Sequence, residues 1–328
     1  MLGMKNPFCL TAVYKTVDGG DLEADIRVPY AKEGHPFGVK CPVFTALNQS
    51  LRPAAILDLL TLTLNPQVID IPSEAGLGVS YSIINKKHSE DLVHARRYVV
   101  VSPEYRPLDP SAAAAAGSSV LLPPIQDCRD LLAWIYDGGL QRTLEAEHPG
   151  LYPVDYDHVY ASGMSYGGLL ALSLGWDVPR TVAGILSVGG PCWFDDGLWA
   201  EANEAAATLS QQAKHSDPIS LGLEPASSHS SIFDVRIPTP PALELNECDP
   251  AMNVHNDFPR VFLVHGTDDK LVPIESARHL LGTLQVKSIQ CDMAEIEGAG
   301  HLFASTVRDS PEALKQVSRG VDWVTSSQ

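Results

Sequence analysis

Basic residues are scarce in this chain, and nowhere do they concentrate. Its 23 lysines and arginines face 40 aspartates and glutamates, giving a formal charge of −17, and its longest basic runs are the pairs Lys86-Lys87 and Arg96-Arg97. Neutralising a phosphate backbone takes clustered Lys and Arg, so the composition argues against a nucleic-acid partner and for a solvated acidic surface. Cysteine is also sparse: six residues at 9, 41, 128, 192, 248 and 291, with no C-x-x-C pair and mostly within apolar stretches. They read as reduced core thiols. No run reaches the roughly 18 consecutive apolar residues of a membrane span, and the opening MLGMKNPFCLTAVYK lacks a continuous apolar segment. The expectation is a soluble cytoplasmic protein. His35, His88, His148, His215 and His229 read as solvent-facing, and no histidine pair has zinc-ligand spacing beside a suitable third ligand, so neither metal nor cofactor is expected.

What the 328 residues do contain is a large apolar share, 45%, enough for one sizeable core. Two strand-like runs, 11–17 and 22–28, flank the turn Asp18-Gly19-Gly20. Short apolar strands follow at 42–47, 98–102, 158–161, 182–188, 260–265 and 289–296, with the near-continuous hydrophobicity of strands covered on both faces. Helical periodicity lies between them: Ile125, Cys128, Leu131, Leu132 and Ile135 share one face, as do Ile274, Ala277, Leu280, Leu281 and Leu284. A last helix opens on Ser310 as N-cap with Pro311 and Glu312 in its first turn. Alternating strands and helices predict an α/β fold: a mostly parallel sheet flanked by helices, after an antiparallel hairpin. The chain reads as a single domain over 1–328. Residues 191–257, too long for a plain connection, form an inserted cap within it, whose Trp193, Phe194 and Trp199 point to an apolar acyl or small-metabolite substrate. The alanine-rich stretch 111–119 reads as a surface excursion without chemistry.

The chemistry concentrates in three strings. In Gly163-Met164-Ser165-Tyr166-Gly167 a G-x-S-x-G pentapeptide stands between an apolar strand and a helical run. A serine on such a tight strand-to-helix turn needs glycine on either side, and the turn lifts its hydroxyl clear of the sheet. It also aims the Tyr166 N–H at the site where an oxyanion would develop. A serine hydroxyl is a weak nucleophile, so a base and an orienting acid are required further on. The segment His265-Gly266-Thr267-Asp268-Asp269 brings a carboxylate just past one strand end, and Gly298-Ala299-Gly300-His301 brings an imidazole past the next.

The strings GMSYGG, HGTDDKLVP and GAGH resemble the α/β-hydrolase superfamily, in particular its esterase and lipase branch related to hormone-sensitive lipase. The resemblance runs from about residue 11 to 325, with poor matching over 49–92 and the cap. It implies an α/β-hydrolase fold, with Ser165 as nucleophile, His301 as base and Asp269, in preference to Asp268, as the acid. It also pairs Arg106 with Asp127 as structural partners. The sequence departs from that branch where an H-G-G-G loop should follow the early strand: Asn48-Gln49-Ser50-Leu51 stands there, without glycine. An oxyanion hole would then combine the backbone N–H of Tyr166 with that of Gln49, or of Ser50. The long stretch 49–92 is either a true insertion lining a substrate channel or translated non-coding sequence from an incorrect gene structure.

The function expected is hydrolysis of carboxylic esters of small or acyl-bearing metabolites through a Ser-His-Asp triad and an acyl-enzyme. The same triad also serves acyl transfer or peptide hydrolysis, and the missing glycine loop keeps open a non-catalytic binding protein on this scaffold. Substrate identity and oligomeric state are not legible.

Overall fold

A computed structural model describes residues 9–29, 41–47, 93, 97–106, 121–195, 197–202, 204, 245–301 and 311–326. Gln49 and the stretch 49–92, the alanine-rich 111–119, Ser310 and most of the cap lie outside these residues. Eight strands build one sheet: β1 (Cys9–Val17), β2 (Gly20–Arg27), β3 (Cys41–Leu47), β4 (Val99–Pro103), β5 (Val154–Met164), β6 (Gly184–Val188), β7 (Arg260–Gly266) and β8 (Cys291–Ile296). Their spatial order is β1-β2-β4-β3-β5-β6-β7-β8. Pairing is antiparallel from β1 to β2 and from β2 to β4, and parallel across the rest. The helices whose bounds are described include α1 (Leu122–Tyr136), α2 (Gly139–Glu147), α3 (Tyr166–Leu172), α4 (Leu245–Cys248), α5 (Ile274–Val286) and α6 (Pro311–Thr325). This is the α/β-hydrolase fold predicted above. None of the described helices is long and apolar enough to cross a membrane.

The expected strands all form, with shifted ends. β5 starts at Val154 rather than His158, because Val154 and Asp155 pair with Cys41 and Pro42 ahead of a register shift. The β1–β2 turn holds Asp18 at φ 51° and Gly19 at φ 80°, the two positive values that a tight hairpin matching strand twist requires.

Strand hydrophobicity is continuous because alternate residues serve two cores. Val99, Val101, Val159, Ala161, Ile185, Val261 and Leu263 face one, shared with α1, α3 and α5. Val100, Tyr160, Leu186, Phe262 and Val264 face the other, closed by Ala313, Val317, Val321 and Val324 of α6. Gly320 lets α6 lie this close: a Cβ there would come within 2.6 Å of Leu186 Cδ1.

The start of α1 is anchored by charge. Asp127, fully buried, accepts from the Arg106 Nε and backbone N–H, both at 2.9 Å, and from Lys15 Nζ of β1 at 2.6 Å. Burial pushes the Asp127 carboxyl up, but Arg106 and Lys15 outweigh it and hold it below the usual carboxylate range. Arg106 and Asp127 are therefore partners that fix β1, the end of β4 and α1 together.

The aromatic residues expected in a cap lie elsewhere than the sequence suggests. Phe194 and Trp199, 5% and 1% exposed, belong to the larger core, and Trp193 stacks on His279 of α5 with centroids 3.8 Å apart. The Trp199 Nε1–H donates to the Trp193 carbonyl at 2.7 Å. The buried Asp249 closes the base of this segment, accepting from the N–H groups of Phe194 and Ala251, both at 2.8 Å. These rings are structural, so an apolar substrate lining made of them is withdrawn. His148, expected to face solvent, is half-buried with its ring edge-on to Tyr152, centroids 5.4 Å apart.

Replacing Asp127 by Ala leaves two cations without their shared acceptor. The expected cost is about 2–3 kcal/mol in urea-induced unfolding, somewhat below that of a fully buried broken pair because Arg106 and Lys15 retain some solvent and Lys15 keeps Asp130 as a partner. A loss under about 0.5 kcal/mol would contradict this anchoring role.

Candidate active site

β5 runs straight into α3 at Ser165, whose φ of 53° and ψ of −125° place a non-glycine residue in strained backbone space. Neighbouring glycines make the turn possible. A Cβ on Gly163 would sit 1.9 Å from the Gly167 carbonyl oxygen, and one on Gly168 would come within 2.8 Å of Gly190 Cα. The Ser165 N–H donates to the Val188 carbonyl at 2.8 Å, which ties the turn to the end of β6.

The loops after β7 and β8 are stitched to each other. A Cβ on Gly266 would lie 2.1 Å from the Ala299 carbonyl oxygen, so only glycine admits this approach. The Asp268 N–H donates to that same carbonyl at 3.0 Å, and the Gly298 N–H donates to Thr267 Oγ1 at 2.8 Å. The strings H-G-T-D-D and G-A-G-H are thus two halves of one structure. Asp268 is exposed and spent on this backbone contact, whereas Asp269 is buried.

Ser165, Asp269 and His301 come together from these three turns. His301 Nε2 is 2.8 Å from Ser165 Oγ, and His301 Nδ1 is 2.7 Å from Asp269 Oδ2. Asp269 Oδ1 accepts the N–H groups of Leu271 and Val272, each at 2.9 Å. Burial pushes the Asp269 carboxyl up, but His301, then His265, and their hydrogen bonds pull it well below the usual range, so it is an anion at neutral pH. An anion only accepts, so His301 Nδ1 carries the ring proton and Nε2 presents its lone pair to the Ser165 hydroxyl. That arrangement is able to take a proton from Ser165 Oγ as it attacks an acyl carbon.

Tyr166, the first residue of α3, has an N–H with no acceptor inside its own helix, as at every helix start. It stands directly after Ser165, where an oxyanion donor is needed. Gln49, the other expected donor, lies outside the described residues. Two residues missed in the sequence complete the floor of the site. Gly189, at φ 57°, has its Cβ direction 3.7 Å from Asp269 Oδ2 and 3.8 Å from the His301 ring, and Gly190 packs on Gly168. The signal was the G-G-P at 189–191, directly after a strand. Among the described residues, no group of three or more His, Cys, Asp or Glu side chains is arranged to hold a metal ion.

Comparison with known proteins agrees with this architecture. A sequence profile of the prolyl oligopeptidase family matches residues 227–326. The chain is 25% identical over 359 residues to the non-reducing polyketide synthase Preu6 of Preussia isomera, covering 96% of this chain and 14% of the synthase. It is 20% identical to the non-reducing polyketide synthase prhL of Penicillium brasilianum, over 82% of this chain and 13% of that protein. The chain therefore spans about one seventh of the length of these relatives. Among solved structures, an esterase from Thermogutta terrifontis superposes with a TM-score of 0.58 at 18% identity, covering 97% of this chain and 91% of the other. The apo form of esterase 2 from the same organism gives 0.59 at 16% identity, covering 99% and 98%. The chain has the architecture of the α/β-hydrolase superfamily.

Two outcomes follow from this geometry. Gly266→Ala should destabilise the protein by about 1–3 kcal/mol through the forced clash. Gly282→Ala, on α5 with open space around it, should be neutral or stabilising by up to about 1 kcal/mol. Chemical denaturation of both variants checks the contrast. Because the Asp269 pKa is depressed on folding, its ionised form contributes stability that is present above about pH 4 and lost as the pH falls through the depressed value. Asp269→Asn should remove that part of the acid-unfolding profile; an unchanged profile would contradict the assignment.

Proposed function

We propose that the protein is a cofactor-free serine hydrolase acting on carboxylic esters of small or acyl-bearing metabolites, with Ser165 as nucleophile, His301 as general base and acid, and Asp269 as the orienting acid. The observation that carries this reading is the unbroken chain Asp269–His301–Ser165 at 2.7 and 2.8 Å. In the first half-reaction Ser165 Oγ bonds to the acyl carbon while its proton passes to His301 Nε2. The imidazolium then protonates the leaving oxygen, whose bond to carbon breaks. Water repeats the sequence on the acyl-enzyme, giving up a proton to His301 and restoring the Ser165 hydroxyl as the carboxylic acid leaves. Asp269 holds the Nδ1–H and offsets the charge on the ring. The Tyr166 N–H donates to the oxyanion of each tetrahedral intermediate, and the Gln49 N–H is the second donor in this proposal.

Small acyl groups suit the reading: the Thermogutta terrifontis esterase was solved with propionate and with butyrate bound, and esterase 2 phosphonylated by sarin. The motif resemblance to the hormone-sensitive-lipase branch points the same way. The likeness to a stretch of non-reducing polyketide synthases supports a second reading on the same triad, in which the acyl group is a polyketide chain and the acyl-enzyme is resolved by an alcohol rather than water. Competition between water and an added alcohol, read as acid against ester product, separates the two.

Incubation with a fluorophosphonate should give one covalent adduct on Ser165, and none in Ser165→Ala. Turnover of short p-nitrophenyl esters should fall at least about a thousand-fold in Ser165→Ala and His301→Ala. Folded protein that takes no label, or ester turnover that survives Ser165→Ala, would remove the proposal and favour a binding role.

A further inference from the structure

A second histidine touches the acid of the triad. His265 lies near the end of β7, is 1% exposed, and places Nε2 at 2.8 Å from the Val272 carbonyl oxygen and 3.3 Å from Asp269 Oδ2. A carbonyl oxygen only accepts, so Nε2 carries a proton, which it donates to Val272 while standing 3.3 Å from the carboxylate. The Val272 N–H donates to the other oxygen, Asp269 Oδ1, at 2.9 Å. His265, Val272 and Asp269 are therefore linked around the carboxylate by two hydrogen bonds and one close imidazole–carboxylate contact. Asp269 Oδ1 is held by two amides and Oδ2 faces two imidazoles, so rotating the carboxylate disturbs every one of these contacts.

The charges around His265 leave Asp269 as its acidic partner. Glu295 stands opposite His265 in the β7–β8 register, but both its oxygens are taken by Arg278 of α5, at 2.9 and 2.6 Å. His301 reaches the same Asp269 oxygen from the loop after β8, at 2.7 Å.

From this geometry we infer that His265 is a positioning residue of the triad: through its Nε2–H it fixes the Asp269 carboxylate so that Oδ2 points at His301. The inference rests on the serine-hydrolase reading above. His265 touches no reacting atom and acts through Asp269. A histidine that merely fills the core would make no distinction between replacements with and without an N–H donor.

The test follows the rate of fluorophosphonate labelling at Ser165, with kcat and KM for a p-nitrophenyl ester, in wild type, His265→Gln and His265→Leu, each measured on folded protein. His265→Gln keeps a side-chain N–H and should stay within about three-fold of wild type, whereas His265→Leu should lose about ten-fold or more in labelling rate and kcat with KM unchanged. Equal rates in wild type and His265→Leu, or equal losses in both variants, would overturn the inference. Should His265→Leu not fold, histidine nitrogen NMR of the wild type decides: His265 must hold its proton on Nε2, and a proton held on Nδ1 would overturn the inference. Wild type that takes no label at all would instead defeat the hydrolase reading itself.

Discussion

The Asp269 carboxylate is the point on which the site depends. It is buried just past β7, yet it stays ionised because His301 and His265 lie against one oxygen, while amides of its own loop donate to the other. An unpaired carboxylate in that position would be costly, and each partner that offsets the cost also fixes a direction. The Leu271 and Val272 amides set the plane of the group and join it to the start of α5. His301 ties it to the loop after β8 and, through Nε2, to the turn between β5 and α3. Three turns that are far apart in sequence are thereby held in one geometry.

The sheet explains why such a join is possible. β5, β6, β7 and β8 run parallel and side by side, so their C-terminal ends fall along one edge. The glycines at that edge remove the side chains that would keep the loops apart. Gly266 meets the Ala299 carbonyl, and Gly190 meets Gly168 behind Ser165. The strained backbone of Ser165 persists because the surrounding packing over-determines it.

Much of this was legible in the sequence. Strands covered on both faces announce themselves as continuous apolar runs, and the chemistry-bearing strings each follow such a run. The structure buries the preferred Asp269 against His301, while Asp268 faces solvent and its N–H holds Ala299. What escaped was long-range. Phe194 and Trp199 look like cap residues because they follow β6 directly, yet the core recruits them, and nothing local says so. Lys15 stands more than one hundred residues from Asp127, with which it pairs. Gly189 and Gly190 read as an ordinary turn until the triad is seen to lie over them. His265 is a buried residue near the end of β7, and its contact with Asp269 depends on a loop that closes four residues later.

In the proposed mechanism Ser165 carries the acyl group between two half-reactions. The most direct measurement is rapid acid quenching during turnover of a p-nitrophenyl ester, followed by digestion and mass analysis of the peptide containing Ser165. This peptide should gain the mass of the acyl group, and the acyl form should accumulate further in a variant slowed at deacylation. Ester turnover with no acyl group on Ser165, or with the group on another residue, would contradict it.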